Sequence, residues 1–148
     1  MISQQFKNLL IAALTHNTIG RDVADLINNM DYEVTFTVGA EATNVVNVSG
    51  QVKNSAGDAV AGVRTLQLGL FTTAAAVAYS TTNYTTIAIG TNGALVELVA
   101  DKRIEVRTDS DGAFDIDVTL SSGAATSYLA QLKPDGTVVS SDVITHAA

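Results

Sequence analysis

The chain has 148 residues, of which 47% are hydrophobic, and it carries a formal net charge of −7. This length suits one domain with a short appendage, and so high a hydrophobic fraction argues against a disordered chain. An acidic surface repels phosphate backbones, so we expect no nucleic-acid partner. The lack of cysteine excludes disulfides and thiol chemistry. The apolar runs are too short to span a bilayer, so we expect no membrane partner.

Residues 1–31 have helical periodicity and are predicted to form an arm that precedes the main domain. One side of the first helical wheel is apolar, whereas Lys7 and its polar neighbours point elsewhere. The apolar side is the predicted assembly interface and consists of Ile2, Phe6, Leu9, Leu10 and Ala13. Two interpretations stay open, because so short a helix must bury its face against something. The face packs on the chain's own domain, or it anchors the protein in an assembly.

From residue 32 onward the pattern alternates between apolar and polar residues, which is typical of half-buried strands. The alternation is clearest at 32–38 and at 114–120. Further strands are predicted near 46–52, 66–70, 95–106 (in two pieces), 128–132 and 138–144. Since no helical pattern separates these strands, a parallel α/β sheet is unfavourable. We therefore predict a mainly β domain over residues 32–148, an Ig-like antiparallel β-sandwich of about seven to nine strands.

The links between these strands carry recognisable turn sequences. Asn54-Ser-Ala-Gly57, Thr91-Asn-Gly93 and Lys133-Pro-Asp-Gly136 each place glycine where a turn needs a positive φ. Residues 72–86 are rich in threonine and alanine and are predicted to be a long connection or a weak edge strand.

Two groups of carboxylates are candidates for chemistry. Asp109 and Asp111 precede Gly112, and carboxylates two residues apart can converge on calcium. The further ligands of a calcium loop are missing, so we favour a tight hairpin turn in which aspartate bonds the local backbone. Asp115 and Asp117 share one strand face and could do acid–base work. Their alternation with apolar residues favours a solvated strand face instead.

The other residue types do not form a catalytic pattern. His16 and His146 lie at opposite ends of the chain in polar or terminal contexts, without partners for metal binding or catalysis. No nucleophile elbow or glycine-rich phosphate loop occurs. We therefore expect no enzyme activity, no cofactor and no metal. A small hydrolase is the least favoured alternative, because no triad can be placed.

Two stretches of the sequence resemble known β-sandwich families. Residues 48–63 resemble the opening of Ig-like and carboxypeptidase-regulatory-like sandwiches, and residues 108–114 resemble their later hairpin turn. The wider pattern is similar to capsid-associated proteins of tailed bacteriophages. It consists of residues 88–93, 95–106, 108–118, 123–128, 133–136 and 141–145.

The resemblance implies a virion decoration (cement) or head-fibre protein that is made in the host cytoplasm and resides on the capsid surface. It implies the phage major capsid protein as partner and a homo-oligomer, with a trimer as one option. The alternative function is a carbohydrate- or receptor-binding adhesin or a tail module. Exposed aromatic residues would favour that alternative, and the polar connection offers Tyr79 and Tyr84.

Overall fold

A computed structural model describes residues 3–5, 7, 8 and 32–148 of the chain. Residues 32–148 form a mainly β structure with ten strands. In chain order these are β1 Tyr32–Val38, β2 Val45–Asn54, β3 Thr65–Phe71, β4 Thr86–Ile89, β5 Ala94–Val99, β6 Arg103–Arg107, β7 Ala113–Thr119, β8 Ala125–Leu132, β9 Val138–Ser140 and β10 Ile144–His146.

The strands form two antiparallel sheets. The four-stranded sheet has the order β1-β2-β7-β4. The six-stranded sheet has the order β10-β8-β3-β6-β5, and β9 also pairs with β8. Buried side chains from both sheets form one hydrophobic core. It includes Val34, Val46, Val48, Phe114, Ile116 and Val118 from the first sheet and Leu66, Leu68, Ile104, Val106 and Leu129 from the second.

The predicted alternation is confirmed where it is strongest. Along β2 and β7 every second residue is buried, and the residues between them are only half-buried. Gly50 belongs to the buried row because a Cβ there would lie 2.3 Å from Cζ of Phe114. The ring therefore occupies the space that a side chain at residue 50 would need, which explains a glycine inside a central strand.

Ten strands are more than the seven to nine predicted, for two reasons. Strand β4 was not predicted, since its four residues border the threonine-rich connection. The predicted strand at 138–144 is divided into β9 and β10. Residues 72–85 form a long connection, which is one of the two structures predicted for this threonine-rich stretch. Its Tyr79 makes an isolated β-bridge with Phe71 of β3.

A bulge separates β9 from β10. Ala130 pairs with Ser140, whereas Ser127 pairs with Ile144, so one extra residue lies in the second strand. Ser141 fills the gap: its N–H donates to the Leu129 carbonyl at 2.8 Å, and the Leu129 N–H donates to Oγ of Ser141 at 3.0 Å. A serine hydroxyl thus replaces a backbone carbonyl in the ladder.

The turn at Gly136, with φ 85°, joins the antiparallel neighbours β8 and β9. The turn at Gly57, with φ 88°, bends the chain back onto the end of β2 through an isolated bridge between Lys53 and Ala59, but β2 and β3 belong to different sheets. The Asn92-Gly93 turn also has a positive φ, 96° at Gly93. It does not close a hairpin, however, because β4 before it and β5 after it belong to different sheets.

The described part of the N-terminal arm consists of residues 3–5, 7 and 8. Gln4, Gln5, Lys7 and Asn8 are helical, and the Gln4 amide donates to Oδ1 of Asn8 at 2.8 Å. Lys7 is buried, although it falls away from the predicted apolar side of the helical wheel. A lysine tolerates burial when its aliphatic stem packs and its ammonium keeps a polar partner. The predicted assembly interface (Ile2, Phe6, Leu9, Leu10 and Ala13) and the boundary at residue 31 lie outside the described residues.

Candidate interaction surface

Strand β5 ends the six-stranded sheet and pairs with β6. Its sequence, Ala-Leu-Val-Glu-Leu-Val, contains one charged residue. Val96, Leu98 and Val99 are 60%, 46% and 52% exposed. The last strand of a sheet also presents backbone N–H and C=O groups that can pair with a further strand. We call this strand, with its three exposed apolar side chains, the β5 edge.

The register of β5 explains why it is apolar on both faces. Leu95 lies opposite the buried Val106 and packs against the core. Val96 lies opposite Glu105 and is on the other face, because side chains alternate along a strand. The pairing is regular from Ala94 to Glu97 and becomes irregular between Glu97 and Val99. The outer edge of the regular half of the strand can therefore form an uninterrupted row of backbone hydrogen bonds with another strand.

The hairpin that carries the β5 edge is electrically neutral. Residues 94–107 contain three acidic side chains and three basic ones, which cancel. The whole chain has 15 acidic and 8 basic residues, so the other 134 residues have 12 and 5 and carry the entire charge of −7. An acidic protein therefore has one neutral, apolar edge.

The two outward carboxylates of β7 are brought together by an asparagine on β2. The Asn47 amide nitrogen lies 3.2 Å from Oδ2 of Asp115 and 2.7 Å from Oδ1 of Asp117. The Asp115 carboxylate also accepts the backbone N–H of Thr91 at 3.0 Å and that of Asn92. Both aspartates face outward as predicted, but they are half-buried rather than fully solvated. Asp115 fastens the loop between β4 and β5 to the four-stranded sheet.

Hydrogen bonding also determines the ionisation of Asp115. Partial burial by itself would raise the pKa of this carboxyl. The donated bonds from Asn92, Thr91 and Asn47 outweigh burial and lower the pKa below its ordinary value. Asp115 is thus an ionised structural acceptor at neutral pH.

The Asp109-Ser-Asp-Gly112 sequence forms a tight turn as expected, but it does not close a hairpin, because β6 before it and β7 after it belong to different sheets. Oδ1 of Asp109 accepts the N–H groups of Asp111 and Ala113, both at 2.9 Å. Gly112 has a φ of 75° and lies close to the Val60 carbonyl oxygen, which a Cβ would approach to 2.0 Å. The Asp109 side chain therefore serves the backbone of its own turn. Across the described residues there is no group of three or more metal-ligating side chains that could hold a metal ion.

A polar groove of about 490 Å³ lies where β1 begins and β2 ends. Its lining includes Tyr32, Lys53 and Lys133, and Nζ of Lys133 lies 4.0 Å from Oε2 of Glu33. Gln4 from the arm lines it as well. The sequence pattern did not indicate this groove, because its residues come from four separate stretches of the chain.

The two tyrosines expected to be exposed differ. Tyr79 is 43% exposed and its ring stacks on Phe71 at 4.8 Å between centroids. Tyr84 is buried and its hydroxyl donates to Ser127, so the expectation of an exposed ring was wrong there. The backbone of the connection returns to β3, where Ser80 N–H donates to the Leu70 carbonyl at 2.8 Å, and this carries Tyr84 into the core.

His146 is also buried, although the sequence placed it in a polar, terminal context. It ends β10, where its Nε2–H donates to the Val118 carbonyl at 3.0 Å and its ring lies 5.7 Å from that of Tyr84. Its Nδ1 is buried without a hydrogen-bond partner. His146 therefore ties the last strand to the four-stranded sheet. His16 lies outside the described residues.

Within the described part of the chain, no helix is long and apolar enough to cross a membrane. Comparison of the sequence with protein-family models, with curated proteins and, for its fold, with solved structures found no match in any of the three.

Proposed function

We propose that the protein is a non-enzymatic structural subunit of a tailed-bacteriophage virion, which decorates or cements the capsid exterior through protein–protein contacts. The observation that carries the proposal is the β5 edge, an apolar, neutral strand at the border of an otherwise acidic molecule. Exposed apolar strands at a sheet edge are normally blunted by charges or covered, and one left open is suited to contact with another protein. The sequence resemblance to phage capsid-associated proteins supplies the virion context.

The strand order supports an Ig-like sandwich as the architecture of this subunit. In Ig domains one sheet has strands A, B, E and D, and the other has C, F and G. The order β1-β2-β7-β4 follows the first arrangement, and β10-β8-β3 follows the second. The hairpin β5–β6 is then an insertion between strands D and E that extends the second sheet. The β5 edge thus lies on the part of the chain that a seven-stranded Ig domain lacks.

The structural use of the carboxylates also favours this proposal over a hydrolase. Of the two acid–base candidates in the sequence, Asp115 accepts the backbone N–H groups of Thr91 and Asn92, and Asp117 accepts the Asn47 amide. A catalytic carboxylate must instead present a free oxygen to a substrate.

The proposal is tested by co-sedimentation of the purified protein with capsids that lack surface proteins. We expect saturable binding at a fixed number of copies for each capsid hexamer. An unrelated acidic protein of similar mass is the control. Protein that stays in the supernatant at every ratio would contradict a role in decoration.

The N-terminal arm is the second element that we propose for assembly. Phe6→Asp with Leu9→Asp places two charges on its apolar side, and burial of either charge is unfavourable. If the arm anchors the protein, the double variant should lose capsid binding or oligomeric mass while the β domain keeps its fold. Retention of both properties would favour the other interpretation, in which the arm packs on its own domain.

The alternative function, a carbohydrate-binding adhesin or tail module, keeps one specific observation in its favour. Tyr79 presents a partly exposed ring held flat against Phe71, and aromatic faces of this kind stack on sugars. Binding to a glycan array that is lost in Tyr79→Ala and kept in Tyr79→Phe would favour this alternative. Tyr84 no longer contributes to it, since that ring is buried.

A further inference from the structure

We propose that the β5 edge pairs with the β5 edge of a second copy, so that two six-stranded sheets join into one continuous antiparallel sheet across a two-fold axis. This inference rests on the proposed function and names the partner of the same surface. A further strand can satisfy the whole row of backbone N–H and C=O groups along this edge at once. What must be argued is why that strand comes from another copy of this chain.

Charge favours a second copy at this edge. Two molecules that each carry −7 repel each other on most approaches. The hairpin of residues 94–107 is neutral, so a contact through β5 brings no net like charge together. A basic partner would instead be attracted to the acidic remainder of the surface and would gain nothing from this neutral region.

The symmetry of the contact limits the register. In an antiparallel sheet, directly paired residues point to the same side of the sheet. A two-fold axis normal to the sheet also keeps each residue and its copy on the same side, so the axis must pass beside one residue that lies opposite its own copy. Within the regular part of β5, the residues that could lie at the two-fold axis are Leu95, Val96 and Glu97. Glu97 is disfavoured because two like charges would be directly opposed.

Val96 is favoured over Leu95 for two reasons. Val96 is the most exposed of the three exposed apolar residues Val96, Leu98 and Val99, whereas Leu95 already packs against the core. A register centred on Val96 also keeps the paired residues 95–97 within the regular part of β5, and it brings Ala94 of one copy toward the exposed Leu98 of the other at the irregularity, where both lose contact with water. Glu97 then lies opposite Leu95, and the two Glu97 carboxylates are separated diagonally.

The contact is short, so the dimer should be weak in dilute solution. Stable interfaces bury more area than a pair of six-residue strands provides. Many copies on one capsid raise the local concentration, and a weak contact then becomes populated. In solution, the mass from light scattering should rise with concentration from 15.4 kDa toward twice that value.

The first test compares two valine substitutions in the full chain. Val96→Lys places a charge on the proposed axis and should keep the protein monomeric at every concentration. Val77→Lys is the matched control, because Val77 is 85% exposed but lies outside β5; it should dimerise like the parent chain. Circular dichroism verifies that both variants keep the strand signal. A Val96→Lys variant that dimerises as the parent does would overturn the inference.

The second test uses the lack of cysteine in the chain, which makes any introduced thiol unique. Under mild oxidation Val96→Cys should give a disulfide-linked dimer, because two residues opposed in a sheet lie within disulfide reach. Glu97→Cys should cross-link much more slowly, since its copies are diagonal and about 7–8 Å apart. Equal rates at both positions, or no cross-linking at Val96, would overturn the proposed register and pairing.

Capsid co-sedimentation of the same variants separates this inference from the proposed function. If the parent chain dimerises and the Val96→Lys variant is monomeric but still binds capsids, self-pairing at β5 is supported and the proposed decoration of capsids is unaffected. If the parent chain stays monomeric and Val96→Lys loses capsid binding, the occupant of β5 is a strand of the capsid protein, and self-pairing is overturned. If the parent chain dimerises through β5 but never binds capsids, the proposed function fails while the pairing stands.

Discussion

Strands β7 and β5 have similar lengths and apolar contents, but opposite environments. β7 pairs with β2 on one side and β4 on the other, and its apolar residues Phe114, Ile116 and Val118 are all buried. β5 pairs with β6 as the last strand of its sheet, and Val96 and Leu98 remain exposed. Hydrophobicity therefore identifies residues that can be buried, whereas position in the sheet decides which of them are buried within one molecule.

The largest expected effect of substitution lies in β7. Phe114→Ala should lower the free energy of unfolding by about 3–5 kcal/mol, because it removes a buried ring and leaves a cavity. Val96→Ala should change it by less than about 0.5 kcal/mol when measured at low protein concentration. Urea denaturation of both variants provides the comparison. A large loss for Val96→Ala in the monomer would mean that β5 is buried after all.

The turn that leads into β7 should be the next most sensitive position. Gly112→Ala combines a φ of 75° with a contact of 2.0 Å from Cβ to the Val60 carbonyl oxygen, and should destabilise by more than about 2 kcal/mol. Gly123→Ala is the matched control, since its φ is 87° but no atom lies within 4 Å of the added Cβ. It should cost about 1 kcal/mol. Equal losses in thermal melting would show that the Val60 contact is unimportant.

The polar side of β7 should contribute less than its apolar side. Asp115→Asn should lower the free energy of unfolding by about 1 kcal/mol at neutral pH, because solvent reaches part of this carboxylate. Its folded pKa is lowered, so this contribution is present above the unfolded value of about 3.9 and is lost as the pH falls through the folded pKa.

Denaturation curves of parent and Asp115→Asn should therefore converge in acid. Asp142→Asn, at an exposed site in the bulge between β9 and β10, is the control and should show a smaller difference at neutral pH. A difference between parent and Asp115→Asn that persists unchanged below pH 2 would contradict the role of the ionised carboxylate.

The smallest expected effect concerns calcium. Asp109 already accepts two backbone N–H groups, so calcium and a chelator should give the same melting temperature within about 1 °C. Asp111→Ala is the control variant. A shift of several degrees that Asp111→Ala abolishes would identify the turn as a metal site.

Alternation predicted β1, β2, β3 and β7 and the faces that they bury, because one face of each packs on a shared core. Local turn chemistry likewise predicted the tight turn at Asp109, although that turn joins strands of different sheets rather than closing a hairpin. The positions of Tyr84 and His146 were missed, since burial of an isolated polar aromatic residue depends on distant strands that sequence spacing does not reveal. The β5 edge was predicted only as a strand. The sequence feature that could have indicated an exposed edge was the run Leu95-Val96 followed by Leu98-Val99. This run is apolar on both faces of the strand, whereas β7 alternates between apolar and polar residues.

The single extra residue between β9 and β10 has a consequence for the chain's end. Val139 and Ile144 are an odd number of positions apart, yet both lie on the core side, opposite Gln131 and Ser127. In an uninterrupted strand they would point in opposite directions. Loss of the extra residue would restore an even spacing and keep Ile144 opposite Ser127 with His146 inward, whereas one further residue inserted at the Ser141 bulge, without a larger bulge, would turn both outward and Thr145 inward. The protein should therefore tolerate a deletion of Asp142 better than an insertion beside it.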